Sequence, residues 1–143
     1  MSVRNILAAT FALFLTTGAQ AQDVSPGLWQ LTIETRVSAT PDFVPAPYTL
    51  NQCFTAEDVR DPSRVLGGVA NPGASDCTYT DKAYRGNTFR FSMQCAGTLG
   101  ISTRGEVSFT ATTLDGTITA IADVGGQKTE FSNRISGKRI GGC

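Results

Sequence analysis

The sequence predicts a mainly β fold: an antiparallel meander, as a curved sheet or partly closed barrel, with a short helical insertion. Three observations carry this expectation. Apolar and polar residues alternate with a period of two along much of the chain. Glycine-containing triplets interrupt the alternating runs where tight turns are needed. In the carboxyl-terminal half no helix-length segment separates one run from the next, which argues against a parallel βαβ arrangement.

The first 21 residues read differently from the rest. Arg4 supplies a positive start, Ile6 to Leu15 is apolar except for Thr10, and Ala19-Gln20-Ala21 is a small-x-small cleavage site. That order is the pattern of a cleavable secretory signal, and the apolar run is far shorter than the roughly 20 residues of a membrane-spanning helix. The expected arrangement is a signal peptide over 1–21 and a single β domain over 22–143, located in the periplasm or secreted, with no integral membrane segment in the mature chain. The 122 residues from Gln22 onward suffice for one modest core.

Within that domain, Trp29, Leu31, Ile33 and Val37 fall on one face of a run from 28 to 37, and Gln30, Thr32, Glu34 and Arg36 on the other. This is a half-buried strand, preceded by the turn signal Pro26-Gly27. Residues 38–47 hold Pro41, Pro45 and Pro47 and form a loop. Tyr48 to Phe54 reads as a second strand. Thr55 then offers an N-cap, with Glu57 and Asp58 in the first helical turn, where negative charge suits the helix dipole. Pro62 breaks or restarts the helix, which is expected to end near Leu66, and 67–75 reads as a second loop. Five strands follow. Residues 77–84 and 88–96 flank Arg85-Gly86-Asn87; residues 104–112 and 117–124 flank Leu114-Asp115-Gly116; residues 128–136 follow Gly125-Gly126-Gln127.

Four cysteines, Cys53, Cys77, Cys95 and Cys143, permit three disulfide connectivities in an oxidising compartment. Hairpin symmetry selects one. If the first of the later hairpins is centred on Gly86, facing positions sum to about 172, and Cys77 and Cys95 meet that condition. Cys77–Cys95 is therefore expected, leaving Cys53–Cys143. Structural zinc sites usually pair close ligands, and no C-x-x-C is present, so zinc is the poorer reading. A redox-active pair would also sit close in sequence.

Composition removes several function classes. The domain from Gln22 onward has 11 basic and 12 acidic residues, interspersed, without the basic face that a nucleic-acid partner requires. The chain has no histidine, so Ser-His and Cys-His nucleophilic machinery and the commonest transition-metal ligand are missing. A nucleophile would need a lysine base, and Lys82, Lys128 and Lys138 read as solvated side chains. Glu57, Asp58 and Asp61 cluster, but capping accounts for them. Glu34, Glu106 and Glu130 fall on outward faces. The carboxylates of Asp76 and Asp81 lie in a strand pattern unsuited to a calcium loop. No catalytic, metal or cofactor constellation is expected. The apolar face gathers Trp29, Leu31, Ile33, Phe89, Phe91, Met93, Val107, Phe109, Phe131 and Ile135. It reads as a packed core or, alternatively, as the wall of a lipocalin-like cavity with Trp29, Leu31, Ile33, Phe89, Phe91 and Phe109 as pocket candidates.

Three segments, taken in order, carry a resemblance. Pro26-Gly27-Leu28-Trp29 opens the domain, Gln52-Cys53-Phe54-Thr55-Ala56-Glu57-Asp58 continues to Asp61-Pro62, and Ser136-Gly137-Lys138-Arg139-Ile140-Gly141-Gly142-Cys143 closes it. With two further cysteines between them, these segments resemble the bacterial exported family catalogued as domain of unknown function 3617. The resemblance implies an exported, periplasmic protein and supplies no catalytic residues. The leading expectation is a monomeric, non-enzymatic envelope protein that binds an apolar small molecule, lipid or peptide. The alternative is a structural or protein-interaction module with a solid core, and an unrecognised hydrolase ranks last.

Overall fold

The computed structural model describes residues 24–70, 76–97 and 99–143. The expected signal segment 1–21 and positions 71–75 of the second loop lie outside the described residues. The elements run β1 (Gly27–Val37), β2 (Tyr48–Phe54), α1 (Ala56–Arg60), α2 (Ser63–Ala70), β3 (Cys77–Arg85), β4 (Thr88–Cys95), β5 (Ser102–Phe109), β6 (Thr113–Val124) and β7 (Gln127–Gly141). All seven strands join one antiparallel sheet in the order β2-β1-β7-β6-β5-β4-β3. The sheet is open, with β2 and β3 at its edges. The expected mainly β meander with a short helical insertion is what the chain forms.

The order has a physical consequence. β3 to β7 pair as successive hairpins, while β1 pairs with β7 from Leu28↔Gly141 to Val37↔Phe131. β2 and β3 therefore lie at opposite edges, and the α1–α2 segment between them must cross the inward face. A flat seven-stranded sheet would set its edges six spacings of about 4.8 Å apart, roughly 29 Å, whereas a helix with its side chains is about 10–12 Å wide. Yet α2 touches both sides: the Tyr79 hydroxyl of β3 donates to the Ser63 carbonyl at 2.6 Å, and Val65 and Val69 pack toward Leu50 of β2. The sheet curls to make this possible.

The inward face is filled. Trp29, Leu31, Phe89, Val107 and Ile135 are completely buried, and Leu66 of α2 plugs the layer beneath them. Trp29 stacks on Phe54 at 5.2 Å and donates its indole N–H to the Ser25 carbonyl at 3.1 Å, satisfying its one polar group. Phe89 stacks on Phe91, and Tyr84 stacks on Phe89.

The helical insertion starts as expected. The Thr55 hydroxyl accepts the Asp58 N–H, and the Asp58 carboxylate accepts the Thr55 N–H, a reciprocal capping box. Asp61 ends α1 and starts α2, with its carboxylate accepting from the Ser63 N–H and hydroxyl while Pro62 occupies the first turn. The expected stop near Leu66 is corrected: α2 runs on to Ala70. Gly67 and Gly68 are helical, and a Cβ at Gly67 would stand 3.2 Å from the Tyr79 hydroxyl, so the glycine serves close helix–strand approach rather than a loop.

A turn is also corrected. Leu114-Asp115-Gly116 lies inside β6, and the reversal is at Thr110-Ala111-Thr112. The Thr110 hydroxyl accepts the Thr112 and Thr113 N–H groups at 3.2 and 2.9 Å, closing the turn without glycine. Gly116 is needed because a Cβ there would lie 2.8 Å from the Val107 Cα across the sheet.

Both expected disulfides are present, Cys53–Cys143 and Cys77–Cys95, and no described cysteine is free. The register behind the second is subtler than simple symmetry about Gly86. The turn has two central residues, Gly86 at φ +58° and Asn87, the positive-φ-first pattern of a II′ hairpin. Pairs near it run Arg85↔Thr88 and Lys82↔Phe91, a register that would carry Cys77 past Cys95. A bulge at Thr80 absorbs one residue, so that Tyr79 faces Met93 and Cys77 faces Cys95.

Replacing Cys77 and Cys95 together with serine removes a crosslink spanning 18 residues. The chain-entropy relation puts this at about 3 kcal/mol, or roughly 10 °C in melting temperature for a domain of this size. Thermal unfolding followed by circular dichroism should show that drop with the β signature retained. An unchanged midpoint would mean that the bridge adds nothing to the hairpin.

Candidate functional site

α2 carries two pairs at i, i+4 spacing, Val65 with Val69 and Arg64 with Gly68, which place four side-chain positions on adjoining stripes. Facing them, Tyr48, Leu50 and Gln52 alternate along the inward side of β2, and Ile33 projects from β1. The space between is an open groove of about 400 Å³, also bordered by Asp58. It persists partly because of Gly68, where a Cβ would meet no atom within 4 Å.

The groove has an apolar wall of Ile33, Leu50, Val65 and Val69 and a polar end. There the Arg64 guanidinium lies 2.8 Å from Glu57 and 3.5 Å from Asp58. Hydrogen bonds from the Thr55 backbone N–H and hydroxyl, at 2.9 and 2.8 Å, hold the Asp58 carboxyl below its ordinary range. Burial opposes them less strongly, and Arg64 adds a smaller lowering effect. Asp58 is thus an ionised, positioned acceptor with Oδ2 committed to the cap and Oδ1 facing Arg64.

A second polar cluster sits at the start of α2. Hydrogen bonds from Ser63 and from the Tyr84 hydroxyl, the latter at 2.6 Å, keep the Asp61 carboxyl below its ordinary value. Burial pushes the Tyr84 phenol up, and the bond to Asp61 reinforces this. Burial likewise raises Tyr79 to about 12, so both phenols stay protonated donors at neutral pH. Lys82 approaches the Ser63 hydroxyl at 3.5 Å and lies over the Tyr79 ring. A serine beside a lysine is a possible nucleophile–base pair. Here, however, the Ser63 side chain is buried and donates to Asp61 at 2.6 Å, so the cluster serves as a cap and tether.

Of the six pocket candidates, Ile33 borders the groove. Trp29, Leu31, Phe89, Phe91 and Phe109 come together in the core, each no more than 2% exposed. The groove residues absent from the sequence expectation are Tyr48, Leu50, Gln52, Asp58, Arg64, Val65, Gly68 and Val69. Reading 67–75 as a loop hid the 64/68 and 65/69 pairs. The alternation of Tyr48, Leu50 and Gln52 was the available signal. Glu34, Glu106 and Glu130 are exposed, as their outward assignment required. Among the described residues no three His, Cys, Asp or Glu side chains form a group that could hold a metal, and no helix is long and apolar enough to cross a membrane.

The three segments that carry the family resemblance meet at one corner of the sheet. The Pro26 carbonyl accepts from the Arg139 guanidinium at 2.8 Å. Gly27 has φ +144°, and a Cβ there would fall 2.6 Å from the same guanidinium. Leu28 lies opposite Cys53 on one side and Gly141 on the other, so the Cys53–Cys143 bridge straddles β1. Gly137 lets Leu31 and Leu114 close over it, since a Cβ would come within 2.8 Å of both. These motifs build a structural corner, and of their residues Gln52 and Asp58 also border the groove.

The lowered carboxyls of Asp58 and Asp61 set a sign for pH dependence. Their contribution to stability is complete above their unfolded value, near 3.8, and is lost as pH falls through the lower folded values. Denaturant unfolding should therefore give a flat plateau from pH 7 to 5 and a decline below about 4. Asp58→Asn with Asp61→Asn should lower the plateau and flatten the decline. An equal acid decline in wild type and variant would assign it to other carboxylates.

No curated protein and no solved structure matches the chain. Its residues 24–143 match the family described as "Protein of unknown function (DUF3617)". That span takes in every strand, both helices, all four cysteines and the groove, and the chain belongs to this family.

Proposed function

We propose that this is an exported, non-enzymatic envelope protein that holds an apolar small molecule, lipid or peptide in the groove between β2 and α2. The groove carries the reading. Its volume of about 400 Å³ falls in the range of ligand sites, and its mostly apolar wall with a few convergent polar groups is their usual composition. Export is supported by the amino-terminal pattern of Arg4, the apolar run and Ala19-Gln20-Ala21, and by two disulfides, which persist in oxidising compartments. The polar clusters are engaged in capping, which favours binding over catalysis.

A second reading, a structural or interaction module with a solid interior, draws on other features. The aromatic core is sealed, while Phe43, Val44 and Tyr48 are each more than half exposed on the loop and strand beside the groove.

Gly68→Leu tests the groove directly. It fills space that a side chain can enter and removes a helical glycine, so it should raise helix stability by about 0.5–1 kcal/mol. Wild type should bind 1-anilinonaphthalene-8-sulfonate with enhanced fluorescence, and the variant should bind at least about tenfold more weakly, equivalent to about 1.4 kcal/mol. Equal binding by the two proteins would remove the groove as a site. For export, the intact mass of protein recovered from the producing cell should lack residues 1–21; retention of the segment would refute cleavage.

A further inference from the structure

We infer that the occupant of this groove is an extended, uncharged segment of a partner protein, which joins β2 as an added strand. The inference rests on the groove being a binding site and names the form of what binds there.

The alternation of the ladder identifies the groups available at the edge. The Ser38 N–H bonds the Glu130 carbonyl, so the even-numbered residues of β1 direct their backbone groups to β7. The odd-numbered residues Trp29, Leu31 and Ile33 then bond β2 through their partners Gln52, Leu50 and Tyr48. Backbone groups alternate as side chains do. Thr49, Asn51 and Cys53 therefore turn their N–H and C=O groups away from the sheet; the Cys53 carbonyl accepts from the Gln52 side-chain amide at 3.4 Å, and the N–H and C=O groups of Thr49 and Asn51 have no partner among the described residues. An extended backbone supplies donors and acceptors at that repeat. A lipid chain supplies neither.

The side chains agree with the backbone. Tyr48, Leu50 and Gln52, at every second position, form the groove wall on the inward side. A strand laid beside β2 would send its own alternate side chains into the same groove, against Val65 and Val69. This is the pattern of peptide recognition by strand addition, with affinity from main-chain bonds and selectivity from alternating pockets.

The two edges of the sheet differ in the devices that discourage pairing. β3 carries Asp81, Lys82 and Arg85 and the bulge at Thr80. β2, Tyr-Thr-Leu-Asn-Gln-Cys-Phe, has no charge, no proline and no bulge. Charges and bulges are the ordinary protection of an edge strand, and their absence leaves β2 open to a partner. Its lack of charge matches an uncharged partner strand.

The test uses the full, disulfide-bonded protein and a capped seven-residue peptide alternating leucine and threonine. Hydrogen exchange read by NMR should show the Thr49 and Asn51 amides fast in the free protein and at least tenfold slower with saturating peptide. Asn51→Pro removes one outward N–H without touching the groove wall. It should bind the peptide at least tenfold more weakly while holding 1-anilinonaphthalene-8-sulfonate within twofold of wild type. Unprotected amides, or full peptide affinity in Asn51→Pro, would overturn strand addition while leaving the groove standing. Failure of wild type to bind either probe would remove the groove reading as well. Sedimentation showing a dimer that Asn51→Pro dissociates would make the occupant a second copy and overturn the partner segment. Should Asn51→Pro not fold, amide protection in wild type decides.

Discussion

Everything in this molecule follows from the pairing of the first strand with the last. β1 and β7 align over ten positions, and once they do, β2 and β3 can only be edges. The segment joining those edges then has to cross the inward face, and it does so as two short helices. The crossing fills the interior that a curved sheet would otherwise enclose. It also explains why the hydrophobic core is sealed around Leu66 while space remains at one margin. Val65 and Val69 of α2 lean toward Leu50 of β2, and the space left between the helix and that edge strand is the groove.

The pairing is held at its corner by features that look functional in sequence and prove mechanical in space. Gly27, with its left-handed φ and the Arg139 guanidinium against it, admits no side chain. The Cys53–Cys143 bridge crosses β1 and locks its neighbours on either side, closing a separation of 90 residues. A long closed loop removes more freedom from the unfolded chain than a short one. Motif residues recognisable across a family are often assumed to mark an active site. Here their contacts with one another account for them, and the groove is built from residues outside these motif segments, Gln52 and Asp58 excepted.

The parts of the fold readable from sequence are those governed by local periodicity. The alternation at 28–37, the Thr55 cap and the glycines at 86 and 125–126 announce themselves because strand pleat, capping geometry and positive φ act over a few residues. What stayed hidden depended on distant chain. Gly116 looks like a turn and is a close approach to Val107. Gly67 and Gly68 look like a loop and are helix, because Tyr79 lies against one and open space against the other. The cysteine pairing was reached from a symmetric hairpin, but the hairpin has a two-residue turn and a compensating bulge at Thr80. The two departures from symmetry cancel, so the cysteines face each other as they would with no departure at all. The groove was invisible for a related reason. The large aromatic residues that attract attention lie in the sealed core, whereas the groove is walled by ordinary residues brought together by the crossover.

The asymmetry of the two edges remains to be accounted for. β3 needs protection because its backbone would otherwise be as available as that of β2, and the bulge and charges provide it at some cost in regular pairing. If β2 were merely a tolerated edge, the same devices would be expected there, since an uncharged, regular edge strand invites association. Tyr48, Leu50 and Gln52 instead keep a regular alternation up to the point where Phe54 enters the core and Thr55 caps α1. The loop entering β2 places Phe43 and Val44 in solvent, an apolar exposure that costs solubility and contributes nothing to the core. An edge left regular, with a cavity under it and exposed apolar residues at its entrance, has the form of a strand-docking surface.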